Sequence, residues 1–172
     1  MNTKKNLKSF SLVELLIAGS LFVMFLGGIT MIYLQVLKNH RFLVSVAEVS
    51  DDIGFVIERM NREIRMGKNF SITNQNTQLR FINEKDQSVV YRLNNNAIER
   101  SEDGGASFER ITGDNVVVET LKFHGQGLLD SDNQQPRITI LLKFRSKKAQ
   151  KASEKYSAIV QTTVSSRLLQ IP

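Results

Sequence analysis

The sequence predicts an α+β protein: a long amino-terminal helix, first membrane-spanning and then amphipathic, packed on an antiparallel β-sheet head. Three observations predict it. Leu15 to Leu37 carries no charged residue. Residues 38–66 place apolar side chains at steps of three or four, the repeat of a one-sided helix. From Phe70 onward the period falls to two, with turn residues between the runs.

Composition narrows the function classes first. Hydrophobic content of 41% and charged content of 23% over 172 residues belong to a folding chain. With no cysteine, a disulfide scaffold, a thiolate metal site and a cysteine nucleophile are excluded. Two separated histidines leave little for zinc or imidazole acid–base chemistry. The net charge of +6 is unevenly spread: +3 over residues 1–9, −1 over 10–37, 0 over 38–66 and +4 over 67–172.

Residues 10–37 form the first element. A bilayer needs about 20 apolar residues, and this run is long enough. Lys4, Lys5 and Lys8 precede it and place the amino end in the cytoplasm, although Lys38, His40 and Arg41 follow on the far side. A cleaved secretory signal would have an apolar core of about 7–15 residues with a small-residue box just after it. Here the core is longer, and the nearest such box, Ser45 to Ala47, lies well beyond it. A plain signal anchor fits most of the segment but gives no reason for Glu14. A carboxylate deep in a bilayer costs about 2.5–3.5 kcal/mol, and less near the interface. Glu14 lies about 6 Å along a helix from Phe10, so it reads either as a tolerated interfacial acid or as a group awaiting a cationic partner.

Lys8-Ser9-Phe10-Ser11-Leu12-Val13-Glu14-Leu15-Leu16-Ile17-Ala18 resembles the prepilin cleavage and methylation signature of type IV pilins and type II secretion pseudopilins. The resemblance implies that residues 1–9 are a leader removed by prepilin peptidase between Ser9 and Phe10. It implies N-methylation of the new Phe10 amine and pairing of Glu14 with the amino terminus of a neighbouring subunit during assembly. Ser9 stands where the family usually has glycine. The implied partners are the peptidase, other pilin or pseudopilin subunits, an inner-membrane assembly platform, and membrane lipid before assembly. The implied location is the inner membrane with the head on the far side, then a filament.

The second element is the stripe Leu43, Val46, Ser50, Ile53, Ile57, Met60 and Ile64, widened by Ala47 and Val56. Glu58–Arg62 and Arg59–Glu63 are i,i+4 pairs expected on its exposed side. Early acids (Glu48, Asp51, Asp52) and late arginines (Arg59, Arg62, Arg65) suit the helix dipole. Gly67 reads as a left-handed stop. No proline interrupts Phe10 to Met66, so one helix of about 85 Å is expected. Gly27-Gly28 is its weak point, read either as close packing against another helix or as a segment that loosens on leaving the bilayer.

The third region, 67–172, reads as about seven strands. Thr77 to Ile82 and Ser88 to Leu93 alternate, and Asn94-Asn95-Asn96 then predicts a hairpin into Ala97 to Arg100. Asp103-Gly104-Gly105 marks a further turn before Ser107 to Ile111. Val116 to Phe123, Arg137 to Phe144 and Ser157 to Leu168 complete the set, and the short connections imply antiparallel pairing. The helix stripe is the expected cover for the inward face, so Val44–Pro172 forms one head. Tyr91 through Asn96 to Arg100, and Val160 to Arg167, are similar to minor pseudopilins of the J kind.

Lys143, Arg145, Lys147, Lys148, Lys151 and Lys155 form a basic run opposed only by Glu154. It reads as a solvated loop, or as a contact for nucleic acid or another acidic partner, which would bind in a salt-dependent way. Asp130-Ser131-Asp132-Asn133 offers oxygen ligands but lacks the rest of a calcium loop. His124 reads as a strand-end residue. No GxSxG, HExxH or P-loop pattern is present. The expectation is therefore a structural subunit with no catalytic residues, metal or cofactor. The alternatives are a DNA-binding or adhesive tip subunit using residues 143–155, and a membrane-anchored sensor head.

Overall fold

The computed structural model describes residues 11–128, 134–147 and 156–167. The chain divides into two compact units, Met1–Leu43 and Val44–Pro172. Helix α1 runs Leu12–Arg65. Eight strands follow: β1 Lys68–Thr73, β2 Gln78–Ile82, β3 Ser88–Asn94, β4 Ala97–Ser101, β5 Glu109–Arg110, β6 Val116–Gln126, β7 Arg137–Ser146 and β8 Ser157–Ser165. The fold is α+β, with a long amino-terminal helix and antiparallel sheets.

The strands build two sheets, a five-stranded one in the order β1-β2-β3-β4-β5 and a three-stranded one in the order β6-β7-β8. Alternation marks strands with one inward face, but it carries no information on how many sheets share that core. The turns explain the connectivity. Asn95 and Asn96 both adopt positive φ (47° and 60°), which closes β3 onto β4 in a tight hairpin. Asn74, Gln75 and Asn76 do the same between β1 and β2. After β4, the Asp103 carboxylate accepts from the backbone N–H groups of Ala106 and Ser107 (each 2.9 Å), which fixes the loop around Gly104 and Gly105.

The turns also join the sheets. The outer edge of β6 is bonded to them: Val118 N–H donates to Asn96 O (2.8 Å) and Phe123 N–H donates to Asn76 O (2.7 Å). Asn96 Nδ2 donates in return to Val118 O (3.2 Å). Between these anchor points β6 carries a bulge at Val118/Thr120. The extra residue is Glu119, and it resets the alternation, so Val116 and Val118 before it and Leu121 and Phe123 after it are all buried.

One apolar cluster takes residues from α1 and from both sheets. The helix contributes Val49, Ile53, Val56, Met60 and Ile64, at steps of four and three. This stripe is rotated from the expected one. Leu43 and Ser50 are exposed and Val46 and Ile57 only half-buried, whereas Val49 is in the core. Phe70, Phe81 and Tyr91 run across β1–β3 with ring centroids 5.5 and 6.1 Å apart.

Gly67 ends the helix for a different reason than expected. Its φ is not among the positive ones. A Cβ there would meet Phe81 Cδ2 at 2.6 Å and Phe70 Cζ at 3.1 Å, so the position is fixed by close approach to the core. Ser166 Oγ donates to its carbonyl (2.8 Å), and Arg167 N–H donates to Arg65 O (2.8 Å), which ties the end of β8 to the end of α1.

Candidate functional site

Two places stand out as candidates: the exposed amino-terminal part of α1, and the polar cluster where the carboxyl half of α1 meets β3 and β4.

The first is apolar and open. Its 18-residue window has a mean hydropathy of 2.3 with none of its residues buried, so it is long and apolar enough to cross a membrane. Met24, for instance, is 78% exposed. The serine and threonine hydroxyls inside the run bond within the helix: Ser20 Oγ donates to Ile17 O (2.9 Å) and Thr30 Oγ1 to Leu26 O (2.8 Å). That matters in lipid, where an unpaired donor is costly. A Cβ added at Gly19, Gly27 or Gly28 would meet nothing within 4 Å. No packing among the described residues therefore asks for those glycines. Glu14 lies in the first turn, where a negative charge suits the helix dipole. It is exposed, and among the described residues it has no partner. Ser9 and Phe10, the expected cleavage and methylation positions, lie outside the described residues.

The second place is centred on Glu63. Tyr91 Oη donates to Glu63 Oε2 (2.8 Å), and Arg100 reaches the same carboxylate through Nε (3.1 Å) and a terminal guanidinium nitrogen (3.0 Å). Arg59 Nε stands 3.5 Å away on the helix. Arg100, with a side chain only 6% exposed, also pairs with Glu102. Burial, reinforced by the Glu63 charge and hydrogen bond, pushes the Tyr91 hydroxyl far above its usual range. Burial opposes the Arg100 charge, but the bonds to Glu102 and Glu63 outweigh it and raise its pKa. The bond from Arg100 in turn lowers that of Glu102. Above the cluster lies an open groove of about 630 Å³ walled by Phe55, Arg59, Arg62 and Lys85 among others. Glu63 and Glu102 in its lining are both held by Arg100, and among its described lining residues no nucleophile–base pair faces it. The arrangement fixes α1 to the sheet.

Sequence reasoning took Glu63 for half of an exposed helical pair with Arg59. The missed signal was present in the hairpin. Once Asn95-Asn96 is placed at the turn, counting back pairs Leu93 with Ile98, Arg92 with Glu99 and Tyr91 with Arg100. A buried arginine beside a buried tyrosine requires an acid, and the helix supplies it. Arg92 and Glu99 form a cross-strand ion pair (2.7 Å), with Arg92 stacked 3.4 Å over the Phe108 ring.

The basic run is opposed by an acid that the sequence separation concealed. Lys143 and Arg145, on β7, both bond Glu119 at the β6 bulge (2.9 and 3.1 Å). The bond from Lys143 is the largest of the influences that lower the Glu119 pKa. Lys147 is exposed at the end of β7, while Lys148, Lys151, Lys155 and Glu154 lie outside the described residues. The candidate calcium loop Asp130–Asn133 lies outside them as well. His124 is exposed near the end of β6, opposite Thr139. Among the described residues no group of three His, Asp or Glu side chains could hold a metal ion.

No family model, curated protein or solved structure significantly matches the chain.

Proposed function

We propose that this protein is a minor pilin or pseudopilin, a structural subunit that waits in the inner membrane and is then drawn into a type II secretion pseudopilus or a type IV pilus. The observation that carries the reading is the sequence of environments along α1. One acid in the first turn is followed by an uncharged helical run with no partner among the described residues, and that helix continues as the stripe Val49 to Ile64 that closes the head's core. A lone carboxylate beside an apolar helix suits an assembly in which another subunit's amino terminus neutralises it, because an unpaired charge in a low-dielectric bundle is costly. Prepilin peptidase would free the Phe10 amine and methylate it, and the other partners would be sister subunits and the inner-membrane platform.

The reading is structural and assigns no catalysis, metal or cofactor. A nucleic-acid role for residues 143–155 is not advanced, because Glu119 already occupies Lys143 and Arg145.

Mass spectrometry of the mature protein, isolated from cells that contain the peptidase, tests the proposal. The expected species begins at Phe10 and is one methyl group heavier than the bare chain. A protein that still begins at Met1, or begins beyond Leu37, would overturn it. Glu14→Ala should leave membrane insertion intact and deplete the subunit from sheared filaments; normal incorporation would remove the charge-pairing role.

A further inference from the structure

The four sheet edges of the head are unequal. Edge β1 is irregular between Lys68 and Ser71, and its Lys68 is paired with Asp86 (2.8 Å). Edge β5 is only two residues long, and both are charged. Edge β6 is bulged, carries Glu119 and Lys122, and is bonded by the turn carbonyls of Asn76 and Asn96. These are the usual ways of preventing one sheet from adding to another. Edge β8 has none of them. Its nine residues, Ser157–Ser165, contain no charge and no proline, and they pair with β7 in unbroken register. Among the described residues no backbone hydrogen bond reaches its outer side. On its solvent face Ile159 is 65% exposed, in line with Gln161 and Thr163.

We infer that β8 is a strand-addition surface whose occupant is the β8 of a second copy of this chain. The covered β6 edge blocks head-to-tail stacking of one sheet on the next. Between two copies this leaves β8 against β8, a self-complementary contact that closes as a dimer instead of propagating. Read antiparallel about Gln161, the pairing sets Ser157 opposite Ser165 and Ile159 opposite Thr163, and no like charges meet. Two three-stranded sheets become one of six strands, within the usual range of sheet sizes. Backbone hydrogen bonds supply the affinity, as in other strand additions. The inference depends only on the β6–β8 sheet, so a mature protein beginning at Met1 would overturn the filament reading and leave this one standing.

The absence of native cysteine makes the test direct. In the full chain held in detergent micelles, Gln161→Cys should oxidise to a disulfide-linked dimer, whereas Ser71→Cys on the protected β1 edge should not. Sedimentation should show a dimer that persists as ionic strength rises, since no ion pair holds it. Gln161→Lys should weaken that dimer by at least about tenfold by opposing two like charges, with the head's melting temperature unchanged. A dimer that survives Gln161→Lys would assign association to the apolar helix and overturn the inference. So would equal cross-linking at Ser71→Cys, a chain that stays monomeric, or membrane cross-linking of Gln161→Cys to a different protein.

Discussion

One helix carries two glutamates in opposite circumstances. Glu14 lies in the first turn with no partner among the described residues, in a stretch whose apolar side chains all face outward. Glu63 lies in the last turns, bonded by Tyr91 and Arg100, beside side chains that are almost wholly buried. Backbone hydrogen bonding is the same in both halves; the solvent each half is built for is not. Where hydrophobicity is uniform around the helix, the described residues supply no cover. Where it recurs every three or four residues, the sheets supply it.

The widest separation between the halves should come from the glutamates themselves. Glu63→Ala leaves Arg100 buried with Glu102 alone and orphans the Tyr91 hydroxyl, and should cost the head about 3–5 kcal/mol in denaturant unfolding. Glu14→Ala should change the same transition by less than about 0.5 kcal/mol. A comparable loss from both would mean that the two halves are not energetically distinct.

Two methionines repeat the comparison without charge. Met60 is fully buried and Met24 is 78% exposed. Met60→Ala should destabilise the head by about 3 kcal/mol through the cavity it leaves, and Met24→Ala should not move its unfolding midpoint. The glycines sharpen the contrast. Gly67→Ala drives a methyl group into Phe81 and should cost about 2 kcal/mol, while Gly28→Ala meets nothing and should, if anything, stiffen its half of the helix. Circular dichroism melts of the two variants would check the difference.

The smallest effect is the head's response to acid. Glu102 and Asp103 both have lowered pKa values, the first through its bond to Arg100 and the second through bonds to Ser101 and Ser107. Groups depressed in the folded state bind protons more readily when unfolded. Their contribution is therefore complete above the ordinary carboxylate range, near pH 4, and is lost as pH falls below it. The melting temperature should decline across that window, and Asp103→Asn should make the decline shallower. An unchanged acid slope in that variant would count against the Asp103 loop as a source of stability.

Much of this comparison was legible in the sequence, and the parts that were not have physical reasons. The uncharged run, the continuous helix and the Asn95-Asn96 hairpin are local features written in consecutive residues. The phase of the stripe was misjudged because Leu43 and Val46 belong to the stretch where hydrophobicity is not yet one-sided, so they drew the count away from Val49. Glu119 could not be placed opposite Lys143 and Arg145 without knowing that a bulge adds a residue to β6. The Glu63 cluster combines a helix turn with two strands, and only the hairpin register brings Tyr91 and Arg100 together beforehand. Gly67 was recognised as a boundary, but for handedness, when the obstacle to a side chain is an aromatic ring.

The asparagine turns have a further consequence. Asn76 and Asn96 each close a hairpin of one sheet and, through their carbonyls, grip the border strand of the other. Neither layer can fray at those corners without releasing its neighbour. The head should therefore come apart as a single cooperative unit, with amides from β3 and from β6 exchanging at the same rate when the whole structure opens.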